Sequence, residues 1–218
     1  MKTTASRSDE TVFIVDDDPD IRAGLSDLLD SAGLRTRCFP SAEEFFKSWN
    51  AAMPGCLVLD VRLPGMTGME LQSKLAEVGA TIPVIIMTAH GDVPMVRKAL
   101  KAGAVEFLEK PFQDEELLQA VDQAFSVDRA RRHEDAILNA IQARIASLSD
   151  REREVMKLVT AGLLNKQIAA ELNLSEITVK VYRRHVMDGM QAGSVAELVK
   201  MCERAGFPSG TDGRARYN

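Results

Sequence analysis

The sequence contains few of the residues that would place it in several large classes of protein. Its three cysteines, Cys38, Cys56 and Cys202, are too few and too scattered for a disulfide framework or a cysteine-based zinc site. No apolar run approaches the roughly 20 residues that a membrane-spanning helix needs, so we expect no membrane contact. The polar N-terminus lacks the apolar segment of a signal peptide. Together these absences favour a protein of the reducing cytoplasm.

Charge is unevenly distributed along the 218 residues. Residues 1–125 carry 12 basic and 20 acidic side chains, residues 126–148 carry 4 and 3, and residues 149–218 carry 11 and 9. An acidic front and a mildly basic rear indicate two modules with different partners. The basic excess of the rear is too small to predict nucleic-acid binding by itself.

Short apolar runs alternate with helical patterns in the first half of the chain. Residues 12–15, 56–59 and 84–87 are continuously apolar, which is typical of parallel strands buried on both faces, and 104–108 forms a further strand. The segment 34–39 contains two arginines, which suits an edge strand. Five β-α repeats predict an α/β domain built on a doubly wound, five-stranded parallel sheet.

Helix-start signals separate these runs. Asp18-Pro19 places proline at a first helical position, and Pro94 fits the first turn of a helix that starts near Asp92. Capping boxes, in which two side chains satisfy each other's backbone N–H, are predicted at Ser41/Glu44, Thr67/Glu70, Ser149/Glu152 and Ser194/Glu197. After Phe112 the pattern stays helical, and we predict one long helix over 114–147.

From Ser149 onward the pattern predicts an all-α domain. Asn165 is expected to cap a short helix ending near Asn173, and Ser175 to cap a longer, basic helix. A short helix, a tight turn and a longer helix form a helix-turn-helix pattern. The predicted boundaries are 1–10 for a disordered N-terminus, 11–125 for the α/β domain, 126–146 for a helical linker, 147–206 for the helix-turn-helix domain and 207–218 for a disordered tail.

Polar side chains follow several of the predicted strands. Asp16 and Asp17 follow the first, Asp60 ends the third, Thr88 the fourth and Lys110 the fifth. Ligands of open parallel sheets bind outside the carboxyl ends of the strands, so we expect these residues to converge. Clustered carboxylates repel one another and need a hard cation, for which oxygen ligands favour Mg²⁺. A carboxylate beside that ion can attack a phosphoryl group, and a lysine can offset the charge of its oxygens.

Each of these signals also has a plain structural explanation. The acid run 16–18 could cap a helix, Asp60 could be a loop acid, and Lys110-Pro111 could end a strand, with a cis peptide. Their occurrence at successive strand ends favours a chemical site over these separate explanations.

Two stretches of the chain resemble known families. Residues 11–125 resemble the receiver domain of two-component response regulators, through VDDDP at 15–19, LDVRLPG at 59–65, MTA at 87–89 and KPF at 110–112. Residues 147–206 resemble the LuxR-type helix-turn-helix domain, through LSDREREV at 148–155, NKQIA at 165–169 and TVKV at 178–181. The two in this order are similar to the NarL/FixJ family, and the receiver motifs are most similar to those of FixJ.

The resemblance implies a flavodoxin-like receiver in which Asp60 is the phosphoacceptor. The other implied roles are Mg²⁺ binding by Asp16, Asp17, Asp60 and the backbone carbonyl of Arg62, phosphoryl contact by Lys110, and switching by Thr88 and Phe107. The phosphoryl donor would be a sensor histidine kinase. Phosphorylation would drive homodimerisation through residues 92–118, and the dimer would bind promoter DNA to regulate transcription. Activation is the expected direction, RNA polymerase is a candidate partner, and slow self-dephosphorylation is the most enzymatic activity that we expect.

Helical periodicity divides the longer helix of the helix-turn-helix into two faces. Val179, Val186 and Met190 share one face, and the opposite face carries Ile177, Lys180, Val181, Arg184 and Asp188. We predict base contacts in the major groove from Lys180, Val181 and Arg184. We predict phosphate contacts from Lys166, Thr178 and Arg183.

Two other functions stay open at this point. An Mg²⁺-dependent phosphatase of the haloacid dehalogenase type also uses an aspartate nucleophile, which would be Asp16 after the first strand, and Asp16-x-Asp18 superficially fits its first motif. A receiver whose helical domain contacts only proteins is the third possibility.

Overall fold

The computed structural model describes residues 9–89 and 93–208 of the chain. Asp92 and most of both predicted tails lie outside these residues. The chain divides into an N-terminal unit up to Arg132 and a C-terminal unit from His133, a division that falls within the predicted linker. The predicted domain boundaries themselves stay predictions.

The N-terminal unit is built on a five-stranded parallel sheet with the order β2-β1-β3-β4-β5. Its strands are β1 (Thr11–Val15), β2 (Arg35–Phe39), β3 (Gly55–Asp60), β4 (Val84–Thr88) and β5 (Ala104–Glu109). Its helices are α1 (Pro19–Ser31), α2 (Ala42–Ser48), α3 (Gly68–Glu77) and α4 (Val93–Lys101), followed by α5 (Asp114–Ser147), which continues into the C-terminal unit. The predicted doubly wound, flavodoxin-like sheet is confirmed, and so is the edge position of β2.

Alternation of side chains along the strands creates two apolar layers. On one face of the sheet, Ile14 and Val58 pack with α1 and the first half of α5. On the other face, Phe13, Leu57 and Ile86 pack with α2, α3 and α4. Because both faces are covered, β3 and β4 are buried along their whole length. A ligand can therefore reach the sheet at the edge where the strands end.

The start of the predicted linker packs against the N-terminal edge of the sheet. Asp128 in α5 is only 1% exposed and accepts hydrogen bonds from the backbone N–H of Gly55 (3.1 Å), from Arg131 Nη2 (2.6 Å) and from Arg132 Nε (2.6 Å). The guanidinium of Arg132 also donates to backbone carbonyls in the loop before β3, those of Ala51, Ala52 and Met53. This network ties α5 to the strand that ends in Asp60.

The C-terminal unit is all helical in its described part. After the end of α5 it contains α6 (Asp150–Thr160), α7 (Asn165–Leu172), α8 (Glu176–Met190) and α9 (Val195–Arg204). Val179, Val186 and Met190 are at most 1% exposed, which confirms the buried face predicted for α8. Within the described residues, no helix combines the length and the apolar character needed to cross a bilayer.

Most of the predicted helix starts are confirmed, but two of the four predicted capping boxes are incomplete. Thr67 and Ser149 form complete capping boxes, whereas Ser41 and Ser194 contribute the serine half alone. Glu197 instead accepts from the backbone N–H of the preceding Gly193 (2.8 Å). Proline occupies the first position of α1, after Asp18 as N-cap.

The prediction that Asn165 caps α7 is wrong. Asn165 is the first residue inside that helix, and the N-cap is Leu164, whose backbone N–H is satisfied by Gln167 Oε1 at 2.8 Å. Leucine has no side-chain acceptor for the N–H groups of the first turn, so the contact from Gln167 is the one capping hydrogen bond made by a side chain that is described at this helix start. The end near Asn173 is confirmed, with Asn173 in the left-handed conformation (φ 53°) that asparagine tolerates.

Two residues assigned to the predicted tails pack against their neighbouring domains. Glu10 is 7% exposed and its carboxylate binds Arg129 Nη1 at 2.8 Å. Phe207 packs against the apolar core of the C-terminal unit.

Candidate functional site

Asp16, Asp60 and Lys110 meet at the carboxyl edge of the sheet. β1 and β3 are neighbours with Val15 paired to Leu59, so the acids that follow these two residues lie side by side. Lys110, just beyond β5, places its Nζ 2.7 Å from Asp16 Oδ2 and 2.7 Å from Asp60 Oδ1. The cluster is largely enclosed, since the side chains are 2%, 9% and 17% exposed for Asp16, Asp60 and Lys110.

Backbone donors fix the direction of both carboxylates. The N–H of Arg62 donates to Asp60 Oδ2 at 2.6 Å, and the N–H of Asp18 donates to Asp16 Oδ1 at 2.9 Å. Arg22 of α1 binds the backbone carbonyl of Asp16 at 2.7 Å, which holds the β1–α1 loop in place. Each carboxylate therefore has one oxygen on the backbone and the other on Lys110.

The environment shifts the protonation equilibria of the buried pair. Burial raises the pKa of Asp60 above its ordinary value, and the hydrogen bond and charge of Lys110 offset that effect only in part. Burial opposes the charge of Lys110, but hydrogen bonds and charges from Asp16 and Asp60 together outweigh it and raise the pKa of the ammonium. The buried charge of Asp60 is unfavourable, and the ammonium of Lys110 is fixed beside it. Such a carboxylate is a suitable acceptor for a charged group.

Thr88 and Phe107 lie on the same face of the sheet. Thr88 ends β4 and is 1% exposed, and its backbone carbonyl accepts from the N–H of Lys110 at 2.7 Å. Phe107 pairs with Ile86 across the β4–β5 ladder, so the side chain of Thr88, two residues further along, is diagonal to the ring. Phe107 is half-buried against the apolar layer under α2, α3 and α4.

The oxygen ligands at the carboxyl edge of the sheet fit Mg²⁺. Among the described residues, however, no three or more His, Cys, Asp or Glu side chains are already arranged to hold a metal ion. Asp16 and Asp60 are brought together, whereas Asp17 is exposed. Carboxylate oxygens and a backbone carbonyl, here that of Arg62, are the ligands that Mg²⁺ prefers.

Two residues of this edge were missed by sequence reasoning. Gly68 begins α3, and a Cβ there would lie 2.2 Å from the backbone carbonyl oxygen of Asp60, so only glycine fits. The carboxylate of Glu43 in α2 accepts from the N–H of Met66 at 2.9 Å and supports the loop after β3. A glycine inside the first turn of a helix was a usable signal for Gly68, because glycine disfavours helix interiors. No local pattern identifies Glu43.

The outward face of α8 exposes the side chains predicted to contact bases. Lys180 is exposed, Val181 is 48% exposed, and Arg184 forms a 3.6 Å ion pair with Asp188 in which both side chains are largely in solvent. Such an exposed pair contributes little to stability, so Arg184 can exchange its partner readily.

The three side chains predicted to contact phosphates differ in their exposure to solvent. Lys166 is exposed in the first turn of α7. The hydroxyl of Thr178 is within 2.8 Å of Ser175 Oγ at the start of α8, and Arg183 is half-buried with Nη1 on the backbone carbonyl of Leu163 at 3.3 Å. Of the three, Lys166 is therefore the most accessible to a phosphate.

Comparisons with known proteins agree with both modules. A family model described as the response regulator receiver domain matches residues 12–122, and one described as bacterial regulatory proteins of the luxR family matches residues 146–202. The chain is 48% identical over 204 residues to nodulation protein W of Bradyrhizobium diazoefficiens, covering 94% of this chain and 90% of that protein. It is 44% identical over 196 residues to the transcriptional regulatory protein FixJ of the same organism, covering 90% and 96%.

A solved structure that contains both modules is similar to most of the chain. The response regulator StyR superposes with a TM-score of 0.83 at 44% identity, covering 90% of this chain and 100% of that one. These likenesses favour a receiver joined to a helix-turn-helix over a phosphatase of the haloacid dehalogenase type.

Proposed function

Because this chain belongs to the NarL/FixJ family of response regulators, we propose that Asp60 accepts a phosphoryl group from a sensor histidine kinase and thereby controls the DNA-binding domain. The observation that supports this most is the enclosed cluster in which Lys110 Nζ lies 2.7 Å from oxygens of both Asp16 and Asp60. A lysine fixed between two strand-end acids is the arrangement that an incoming phosphoryl group needs, since its oxygens require a cation and its phosphorus a nucleophile.

The transfer step follows from the hydrogen bonds of Asp60. An oxygen of the ionised carboxylate attacks the phosphorus, the bond from phosphorus to the donor's imidazole nitrogen breaks, and the nitrogen keeps the electron pair. The N–H of Arg62 holds Asp60 Oδ2 and so orients the carboxylate for attack. Lys110 then contacts a phosphoryl oxygen and offsets the charge that Asp60 has gained.

In this proposal Asp16, Asp17, Asp60 and the backbone carbonyl of Arg62 hold Mg²⁺. Bound Mg²⁺ supplies the positive charge that lets a phosphoryl dianion approach a group of carboxylates. Asp16 is preoriented for this role by its contacts with the N–H of Asp18 and with Lys110. Asp17 is exposed and so lies where an ion can reach it from solvent.

We place the switch at Thr88 and Phe107 and the dimer surface at residues 92–118. Thr88 lies at the reacting edge, and Phe107 is diagonal to it in β5, so movement of the hydroxyl toward the phosphoryl group changes the space open to the ring. Since α4 and the start of α5 pack beside β5, a changed ring position alters the surface that meets a second copy. The result is a homodimer on phosphorylation.

The dimer regulates transcription at paired half-sites of promoter DNA, with activation as the expected direction and RNA polymerase as a candidate partner. Lys180, Val181 and Arg184 contact bases, and Lys166, Thr178 and Arg183 contact phosphates. The protein acts in the cytoplasm, and its only enzymatic activity is slow loss of its own phosphoryl group.

The experiment that tests this function measures molar mass and DNA affinity in the presence of Mg²⁺, with and without beryllofluoride, which mimics the phosphoryl group. Wild type should pass from monomer to dimer and bind DNA more tightly, and Asp60→Asn should do neither. Asp27→Asn, an exposed acid on α1, should behave as wild type. A monomer unchanged by beryllofluoride, or a dimer complete without it, contradicts the proposed switch.

A further inference from the structure

The outward face of α8 carries an apolar side chain to which the contacts proposed above give no role. Ile177 is 76% exposed, which makes it the most exposed large hydrophobic residue in the described part of the chain. Val181, one turn further along the helix, is 48% exposed. Exposing two β-branched side chains side by side to water brings no stability, so their placement points to a partner that covers them.

The position of Ile177 is fixed by the start of the helix. Ser175 is the N-cap, with its Oγ accepting from the N–H of Thr178 at 3.1 Å and its carbonyl accepting from the N–H of Val179 at 3.0 Å. Val179 is fully buried, so the side chain of Ile177, two positions earlier, is held away from the core. β-Branching restricts the side-chain rotamer in a helix, so little conformational entropy is lost when Ile177 is covered.

The chemistry of the partner follows from where this face lies when a helix-turn-helix binds DNA. The N-terminal residues of the second helix are those that reach base edges in the major groove. In that groove the one apolar feature of any base pair is the 5-methyl group of thymine. Lys180 is also exposed and lies one turn from Ile177 on the same side of the helix, so a cation for guanine and two apolar contacts for thymine are close together.

We propose that Ile177, together with Val181, selects thymine by covering its 5-methyl group, and that Ile177 is a specificity-determining residue of the operator interaction. The inference rests on the proposed DNA contacts of α8 and adds a second apolar position and its base. It assigns to the first turn of α8 a preference for an A·T pair that Lys180 and Arg184 cannot supply.

The test removes single methyl groups from the DNA. Duplexes are first selected from a random library with the full-length, beryllofluoride-activated protein. Thymines of the selected duplex are then replaced one at a time by deoxyuracil, which pairs identically and lacks only the methyl group. For wild type we expect one or two positions in each half-site at which this replacement weakens binding about three- to tenfold.

Ile177→Ala should weaken binding to the thymine duplex by a similar factor and lose its sensitivity to deoxyuracil at one of those positions. The slope of affinity against salt should not change, because no phosphate contact is lost. Leu164→Ala is the matched control: Leu164 is 70% exposed at the start of α7, and its variant should retain every deoxyuracil effect.

If Ile177→Ala keeps the full wild-type pattern of deoxyuracil effects, Ile177 does not contact thymine and the inference is overturned. If the library yields no preferred sequence at all, the proposed base contacts of α8 fail as a whole, which is a different result from the loss of this one assignment.

Discussion

Replacing Asp128 by alanine should destabilise the N-terminal unit, because three donors lose their acceptor at once. The carboxylate is 1% exposed and binds the buried N–H of Gly55 and the guanidinium groups of Arg131 and Arg132. Leaving the Gly55 N–H unpaired costs about 1–3 kcal/mol. The two arginine side chains are 25% and 29% exposed, so water can solvate them once the carboxylate is gone. Losing their ion pairs therefore adds less than the about 3–5 kcal/mol that breaking a fully buried ion pair costs. We expect a total loss of about 2–4 kcal/mol in the free energy of unfolding.

The assay can use the single tryptophan of the chain. Trp49 is the C-cap of α2, stacks on Phe45 with ring centroids 6.2 Å apart, and precedes the loop that Arg132 holds, so its fluorescence reports the N-terminal unit. Urea unfolding followed at this residue should show a lower midpoint for Asp128→Ala with an unchanged slope. Asp27→Ala removes an exposed helical acid and should stay within about 0.5 kcal/mol of wild type. Equal midpoints for Asp128→Ala and wild type would refute the reasoning that this network stabilises the unit.

Three further results are expected. Phosphorylation by acetyl phosphate should stop in EDTA and be strongly reduced by Asp17→Ala, and its persistence in either case would remove the proposed Mg²⁺ site. Gly68→Ala places a Cβ 2.2 Å from the backbone carbonyl oxygen of Asp60 and should slow phosphorylation about 10–100-fold, while Gly24→Ala, which has open space around it, should not; equal rates would show that the loop adapts. Lys180→Ala should cost about 1–3 kcal/mol on operator DNA and far less on scrambled DNA, whereas Lys166→Ala should weaken both alike and lower the salt slope by about one; equal losses on both DNAs for Lys180→Ala would make it a phosphate contact.

The cluster at the carboxyl edge of the sheet could be predicted from the sequence because sheet topology largely determines its position. Continuous apolar runs identify parallel strands, and parallel strands in a doubly wound sheet end at one edge. Residues that directly follow those runs, such as Asp16, Asp60 and Lys110, must then meet, and the structure joins them through the lysine ammonium. The buried face of α8 was predictable for a similar reason, since helical periodicity alone separates Val179 and Val186 from the exposed side.

Long-range contacts were beyond the same reasoning. Asp128 belongs to a charged run that resembles a solvated linker, and nothing local shows that it binds Gly55, 73 positions earlier. Arg183 is predicted to contact phosphate, and the sequence gives no sign that its guanidinium also donates to the carbonyl of Leu163 in the turn before α7. Gly189 on α8 weakens helix propensity, but a Cβ there would come within 2.8 Å of Leu148, a packing reason that the sequence hides.

Locating the acyl phosphate distinguishes a phosphoacceptor at Asp60 from a nucleophile at Asp16. The full-length protein is incubated with acetyl phosphate and Mg²⁺, the aspartyl-phosphate is trapped by reduction, and the labelled residue is located by peptide mass spectrometry. We expect the label on Asp60 alone and none in Asp60→Asn. A label on Asp16, as an aspartate-nucleophile phosphatase requires, or full labelling of Asp60→Asn, would contradict it.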